Sequence, residues 1–205
     1  MCVRFFVDDE DRELRPYLES AGSSRLLKEY EKRNGRAAGM RGEIRPSDAA
    51  CVIACSRIGK TAAYPMKWGY DIHGRSICVN ARCETAAQKE MFADGWRFRR
   101  CIVPSSWYYE WQHYEDDRGI KRTGQKYAIK TDRERLTWLC GIYRLREDVP
   151  EFVILTRPAA GAVSEIHDRM PVIMPGLWAF EWVMPDADPS LLLKYSAEDL
   201  IMREA

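Results

Sequence analysis

The stretch RRCIVPSSWYYEWQ, residues 99–112, decides the fold class of this chain. It is rich in β-branched and aromatic residues, which predicts two strands, Arg99 to Val103 and Trp107 to Gln112. Only a short break containing Pro104 separates them. Because no helical segment lies between the two strands, the stretch lacks the βαβ rhythm of a doubly wound parallel sheet.

The same strand signal recurs on both sides of this stretch, and helical segments are few and scattered. Strands are predicted at Val3 to Val7, Cys51 to Ser56, Tyr64 to Gly69, Ser76 to Val79, Lys126 to Lys130, Leu136 to Tyr143 and Phe152 to Thr156. Helices are predicted from about Glu10 to Arg33 with a break at Ala21 to Ser24, from Glu84 to Phe92, Leu177 to Trp182 and Ala197 to Met202, and Asp116 to Gly124 reads as a polar loop. This pattern indicates an α+β fold with a curved, mainly antiparallel sheet system and peripheral helices.

Composition sets the broad class of the protein. With 205 residues, 46% of them hydrophobic, and no linker or repeat, we expect a single domain over residues 1–205. No apolar run is long enough to span a membrane, and the N-terminus lacks the features of a signal peptide, which predicts a cytoplasmic protein with no membrane partner. The seven cysteines, an odd number without a tight pattern, suit a reducing compartment.

Net charge does not indicate a polyanionic partner, because 32 Lys and Arg balance 31 Asp and Glu. Any surface for nucleic acid therefore depends on local segregation of charge. The candidates for a phosphate-binding track are Arg4, Arg82, Arg97, Arg99 and Arg100, and the candidates for stacking on unpaired bases are Trp68, Trp107 and Tyr108. The aromatic residues are equally compatible with a place in the core.

Cys2 has chemistry that no internal cysteine has. Removal of Met1 leaves an α-amine and a thiol on adjacent carbons of one residue. The amine can condense with an aldehyde to form a Schiff base, and the thiol can then add to the same carbon and close a thiazolidine ring. Position alone is also compatible with an incidental second residue.

Glu110 is a candidate acid/base group. On an extended strand it shares one face with Tyr108 and Gln112, while the residues between them point to the other face. Aromatic surroundings raise the pKa of a carboxyl group and suit it to proton transfer. A solvent-facing acid on an edge strand would explain the same position.

His167 lies in IHDRMP, residues 166–171, where Pro171 disfavours helix at the preceding residue and so predicts a shaped loop. Consecutive side chains usually diverge, so we expect His167 to be oriented by a residue other than Asp168. A general acid/base role and a buried structural or exposed loop histidine both fit this sequence.

Asn80 and Arg82 are two residues apart at the end of a predicted strand, which places them on one face. Arg82 suits a phosphate and Asn80 a sugar or reacting oxygen, although a helix-capping loop explains the same pair. The cysteine spacings lack a CxxC pair and there is no Walker, Rossmann or GxSxG motif, so no metal and no cofactor are predicted.

Ten segments in order along the chain resemble the SOS-response-associated peptidase (SRAP) family, the abasic-site processing proteins that crosslink themselves to DNA. These segments are Met1-Cys-Val-Arg-Phe5, Arg45-Pro-Ser-Asp48, Trp68-Gly69, Asn80-Ala-Arg-Cys-Glu-Thr85, Phe92, Arg100-Cys-Ile-Val-Pro104, Tyr109-Glu-Trp111, Gly141-Ile-Tyr143, Thr156 and Ile166-His-Asp-Arg-Met-Pro171. The resemblance implies a barrel-like β core with a positively charged groove for single-stranded DNA.

The resemblance also implies a role for each matching residue. Cys2 is the covalent nucleophile, Asn80 and Glu110 lie beside it, Arg82 faces phosphate, and His167 does acid/base work on the sugar. The function expected is a monomeric abasic-site sensor that forms a thiazolidine crosslink with single-stranded DNA, with weak lyase activity. A thiol autopeptidase or amide hydrolase using Cys2, and a noncatalytic single-strand binder, are the alternatives.

Overall fold

Fifteen strands dominate the part of the chain that the computed structural model describes, residues 2–35, 37–56, 58–146 and 149–205. In chain order they are β1 (Arg4–Val7), β2 (Gly42–Ile44), β3 (Ala49–Cys55), β4 (Thr61–Trp68), β5 (Tyr70–Ile72), β6 (Ser76–Cys78), β7 (Asn80–Arg82), β8 (Arg100–Ser105), β9 (Trp107–Glu115), β10 (Lys121–Thr131), β11 (Thr137–Arg144), β12 (Glu151–Pro158), β13 (Arg169–Pro171), β14 (Ile173–Met174) and β15 (Leu200–Glu204).

The largest sheet has eight strands and closes on itself. Its order is β13-β12-β4-β3-β8-β11-β14, with β7 paired to β12. An additional pairing of β12 with β11 joins β12, β4, β3, β8 and β11 into a ring. The pairs β12–β4 and β12–β7 are parallel and the other pairs in this sheet are antiparallel. The predicted curved, mainly antiparallel α+β fold is confirmed.

A second sheet of five strands carries the N-terminal strand. Its order is β15-β10-β9-β1-β2, and β1 lies antiparallel to β9 with Phe5 opposite Tyr108. The short strands β5 and β6 form a separate hairpin. The second sheet therefore contains both β1 and β15, the first and the last strand in chain order.

Six short α-helices accompany the sheets in the described part of the chain: α1 (Arg15–Gly22), α2 (Arg25–Asn34), α3 (Cys83–Ala86), α4 (Glu90–Phe98), α5 (Gly176–Trp182) and α6 (Pro189–Leu192). The predicted break between the first two is confirmed, and Ser24 caps α2 by accepting a hydrogen bond from the backbone N–H of Leu26. None of the helices in the described ranges has the length and apolar content needed to cross a membrane.

Three predicted elements differ in the structure. Residues 84–92 form parts of two helices because Lys89 is extended and begins a new helix, α4. The predicted polar loop ends early, since β10 already begins at Lys121. Residues 197–202 are not helical: β15 pairs with β10, with Met202 opposite Ile129, and this pairing outweighs the local helical preference.

Two aromatic residues predicted to stack on bases lie in the core. Trp68 is fully buried, its indole N–H donates to the carbonyl of Val79 at 3.0 Å, and its ring packs on Phe5 and Phe152. Tyr108 is also fully buried. Neither ring has an exposed face on which a base could stack, so both assignments were wrong. The third, Trp107, is half-buried and stacks on Phe6 with ring centroids 4.4 Å apart.

Arg100 is a structural residue and not part of a phosphate track, which corrects the sequence-based assignment. Its side chain is buried, and the guanidinium donates to five backbone carbonyls near the ends of α4 and α5. The acceptors are the carbonyl oxygens of Trp96, Arg97, Trp182, Met184 and Ala187. A five-donor guanidinium satisfies carbonyls that helix ends would otherwise leave without partners.

We therefore expect Arg100→Met to destabilise the fold by about 3 kcal/mol or more, because five buried carbonyls lose their donor. Urea unfolding measures this change, and Arg97→Met, which alters an exposed side chain near the end of α4, is the control with an effect of about 0.5 kcal/mol or less. Equal unfolding midpoints for the two variants would contradict the structural role of Arg100.

Candidate active site

Cys2 meets Asn80 at the point where β1 begins. The side-chain amide of Asn80, on β7, donates to the backbone carbonyl of Cys2 at 2.8 Å. This bond joins residues 78 positions apart and ties the N-terminal segment to the strand end that Asn80 occupies. The other amide atom, Asn80 Oδ1, is buried and has no hydrogen-bond partner among the described residues.

The Cys2 side chain is held as a neutral thiol. It is fully buried, and burial is the main reason why the pKa of the thiol is raised far above its ordinary value. The negative charge of Glu110 raises the pKa further. The Sγ atom donates toward the carbonyl of Arg4 at 3.8 Å, a weak contact that suits a protonated sulfur. Reaction at sulfur therefore requires a nearby proton acceptor.

Glu110 is placed to be that acceptor. It lies on β9, opposite Tyr127 of β10, and only 2% of its surface is exposed. Its Oε1 atom accepts a hydrogen bond from the backbone N–H of Trp111 at 3.3 Å. Its negative charge raises the pKa of Cys2 and of Tyr108 beyond the larger effect of burial, and it also acts to raise the pKa of His167, against the larger lowering by burial. Its burial excludes the solvent-facing alternative that the sequence left open for Glu110.

His167 is the fourth member of this cluster and is 7% exposed. Its Nδ1 accepts a hydrogen bond from the backbone N–H of Arg169 at 2.9 Å. Nδ1 also lies 2.9 Å from Oδ1 of Asp168, so the expectation that adjacent side chains diverge was wrong here. The tight turn at residues 166–169 brings them together.

The backbone around His167 is fixed by an ion pair that the sequence did not single out. Arg169, only 8% exposed, donates through both terminal nitrogens to the carboxylate of Glu84 on α3 and also to the carbonyl of Thr156. Hydrogen bonding from Arg169 lowers the pKa of Glu84 to about 2. The pair links the strand end carrying Asn80 to the turn carrying His167. In the sequence, the opposite charges of Glu84 and Arg169 were the feature from which this ion pair could have been predicted.

His113 was also missed. Its ring lies 4.5 Å from that of His167, centroid to centroid, and its backbone N–H donates to the carbonyl of Ile166 at 2.8 Å. Both rings line a cleft of about 630 Å³ between the β9–β10 hairpin and the segment before His167. Only three histidines occur in the chain, which was the one clue in the sequence.

The remaining candidate arginines do not form one track. Arg82 is exposed and follows Asn80 on β7, beside the cluster. Arg4 pairs with Glu43 at 3.3 Å on the second sheet. Arg97 is exposed on α4, and Arg99 pairs with Asp94 and lines a separate cleft that shares no residue with the one beside His167. Among the described residues, no group of three or more His, Cys, Asp or Glu could hold a metal ion.

Fold and cluster together define an α+β protein whose reactive candidate is a cysteine at position 2, held beside a buried carboxylate and a histidine. The model of the SOS response associated peptidase (SRAP) family matches residues 1–204. The chain belongs to the SRAP family.

Curated relatives agree with this assignment. The chain is 33% identical over 132 residues to the abasic site processing protein YobE of Bacillus subtilis, covering 60% of this chain and 58% of the relative. It is 27% identical over 125 residues to the abasic site processing protein YedK of Escherichia coli, covering 58% and 54%. The match thus spans little more than half the length of these curated relatives.

Two crystal structures share the fold. A protein from Bacteroides thetaiotaomicron superposes with a TM-score of 0.74 at 19% identity, covering 99% of this chain and 91% of that one. A phage-related protein from Bordetella bronchiseptica gives a TM-score of 0.69 at 24% identity, covering 100% and 93%. At these identities the likeness concerns the fold alone.

The environment of His167 predicts a pH dependence of stability. Burial lowers its pKa below the ordinary value of about 6.5, so the unfolded chain binds a proton more readily than the folded chain. The neutral His167 side chain therefore makes its full contribution to the free energy of unfolding above a pH of about 6.5, and this contribution is lost as the pH falls below that value.

Urea unfolding at pH 7.5 and 5.5 tests this dependence. The free energy of unfolding of the wild-type protein should fall between the two values by more than that of His167→Asn. His73→Asn, at an exposed histidine, should behave as wild type. An unchanged pH dependence in His167→Asn would contradict the prediction.

Proposed function

We propose that this protein processes abasic sites in DNA by crosslinking to them through Cys2 once Met1 is removed. One observation carries the proposal: Asn80 donates a hydrogen bond to the Cys2 carbonyl, and the charge of Glu110 acts on both Cys2 and His167, although these residues lie far apart in sequence. The names of the relatives, which are abasic site processing proteins, support the choice of substrate. Met1 itself lies outside the described residues.

The first stage is imine formation. An abasic deoxyribose opens to an aldehyde at C1′, and the α-amine of Cys2 attacks that carbon. A C–N bond forms, and the oxygen leaves as water after taking up protons. Glu110 is close enough to Cys2 for its charge to act on the thiol, so it can move protons between the amine and the leaving oxygen.

The second stage closes the ring. The sulfur adds to the imine carbon, the electron pair of the C=N bond moves to nitrogen, and the thiol proton passes to nitrogen through Glu110. The product is a five-membered thiazolidine, which is more persistent than the open imine. Because burial keeps the Cys2 sulfur protonated, ring closure depends on that proton transfer.

His167 and Asn80 complete the assignment. The pKa of His167 is lowered mainly by burial, and the imidazole can donate or accept a proton during sugar ring opening and during reversal of the adduct. Asn80 holds the backbone of Cys2 in place. The imine stage also permits β-elimination, which would give weak lyase activity.

Single-stranded DNA is the proposed form of the substrate. Arg82 is exposed next to Asn80 and suits the phosphate beside the abasic sugar, and the half-buried Trp107 offers an edge for a neighbouring base. Arg4 lies on β1, two residues from Cys2, and would give up its Glu43 contact to reach phosphate. A monomeric state and a cytoplasmic location stay predictions.

A thiol autopeptidase or amide hydrolase is the second candidate, favoured by the same proximity of a thiol, a carboxylate and a histidine. It predicts that purified protein carrying Met1 removes this residue itself and that Glu110→Gln stops the removal. Retention of Met1 over days in the absence of an aminopeptidase would exclude this candidate.

We expect mature protein, mixed with single-stranded DNA bearing one abasic site, to give an adduct that survives heating in denaturing gels. Cys2→Ser should abolish the thiazolidine, since it removes the sulfur that closes the ring. Glu110→Gln should slow adduct formation about 10²-fold to 10⁴-fold, the usual contribution of a general acid/base. Intact-mass measurement quantifies both.

The matched control is Cys78→Ser, which replaces a more accessible thiol and keeps a donor for the carbonyl of Asn80. It should form the adduct at the wild-type rate. Absence of any adduct in wild-type protein with verified Cys2 at its terminus would overturn the proposal. Equal binding to intact and abasic DNA without an adduct would instead indicate a noncatalytic single-strand binder.

A further inference from the structure

The hydroxyl of Tyr108 is buried with no hydrogen-bond partner. Tyr108 is 0% exposed, and no described residue donates to or accepts from its Oη atom. Burying a hydroxyl without a partner costs free energy that a phenylalanine would not cost. A buried polar group left unsatisfied in a folded protein calls for an explanation, such as a catalytic role or a missing ligand.

The position of Tyr108 points to such a role. It is two residues before Glu110 on β9, so both side chains project from the same face of the strand. It lies opposite Phe5 on β1, the strand that follows Cys2. Cys2 and Glu110 are near enough to contribute to the raised pKa of the Tyr108 hydroxyl, after the larger effect of burial. Strand register and electrostatics thus both place Tyr108 near the segment of Cys2 and near Glu110.

The phenol stays protonated in this place. Burial is the main cause that raises the pKa of Tyr108 well above its ordinary value, and the neighbouring Cys2 and Glu110 raise it further. A hydroxyl that keeps its proton is a hydrogen-bond donor at any pH where the protein is folded. It does not bond to the Cys2 sulfur, whose own proton points toward the carbonyl of Arg4.

We propose that the Tyr108 hydroxyl is a further catalytic group, which donates a hydrogen bond to the oxygen at C1′ of the opened abasic sugar. The inference rests on the proposed function and goes beyond it, because none of the four residues assigned above supplies this donor. The partner that the hydroxyl lacks in the free protein would be supplied by the substrate.

The donor would act while charge develops on that oxygen. As the α-amine of Cys2 attacks C1′, the electron pair of the C=O bond moves to oxygen, and the Tyr108 O–H stabilises the negative charge. Protons then pass from the amine to this oxygen through Glu110, and water leaves as the C=N bond forms. Tyr108 keeps its own proton throughout, so the step needs no other reactant. A fixed donor in a site that excludes water is effective in such a step.

The test is Tyr108→Phe, which removes only the oxygen. Mature protein is mixed with abasic single-stranded DNA, and the imine is trapped with cyanoborohydride to measure the rate of its formation. We expect this rate to fall about 10²-fold, as when one donor to a developing oxyanion is removed. The melting temperature should stay the same or rise, since an unsatisfied buried hydroxyl has gone.

Tyr109→Phe is the matched control. Tyr109 is the next residue on β9, points to the opposite face, and carries the ammonium of Lys126 over its ring at 3.6 Å. The same loss of one oxygen there should leave the imine rate and the melting temperature near the wild-type values.

Three results would overturn the inference. Imine formation by Tyr108→Phe at the wild-type rate would remove Tyr108 from the chemistry while leaving the proposed function intact. A lower melting temperature together with a slower rate would show a structural role. Absence of any trapped imine in the wild-type protein would overturn the proposed function and this inference with it.

Discussion

The antiparallel pairing of β1 with β9 is the constraint on which the rest of the site depends. It sets Phe5 opposite Tyr108 and so brings the start of the chain to the strand that carries Glu110. The hydrogen bond from Asn80 to the Cys2 carbonyl then fixes the segment before β1. A slip of one residue in this register would turn Tyr108 and Glu110 away from Cys2, because strand side chains alternate between faces. β8 of the closed ring contacts β1, and the backbone N–H of Ser106, between β8 and β9, donates to the carbonyl of Phe6 at 2.8 Å.

Burial gives these residues their chemistry. The same desolvation raises the pKa of the Cys2 thiol and lowers that of His167, so both groups rest in their neutral forms. A neutral thiol and a neutral imidazole suit a site that must move protons through a carboxylate and does not keep a permanent thiolate. The ion pair of Glu84 with Arg169 lies outside this apolar space and holds the His167 turn.

The sequence predicted most strands because the alternation of side chains and the residue types typical of strands are local signals. The family motifs, which occur in the same order along the chain, made the four central residues of the site recognisable. It could not predict which face of a strand the core covers, so the burial of Trp68 and Arg100 was missed. Residues 197–202 were read as helix because their partner strand β10 lies about seventy positions earlier. The contacts of His113 and the orphaned hydroxyl of Tyr108 depend on packing between distant segments, which no local pattern encodes.

The central claim is that Cys2 bonds to one carbon through both nitrogen and sulfur. Abasic single-stranded DNA labelled with ¹³C at C1′, mixed with mature protein whose Cys2 is labelled with ¹⁵N, tests this bond by nuclear magnetic resonance. The account predicts a saturated C1′ carbon coupled to the Cys2 nitrogen, with a chemical shift that also requires a sulfur neighbour. An unsaturated carbon, or a C1′ signal with no coupling to Cys2, would contradict it.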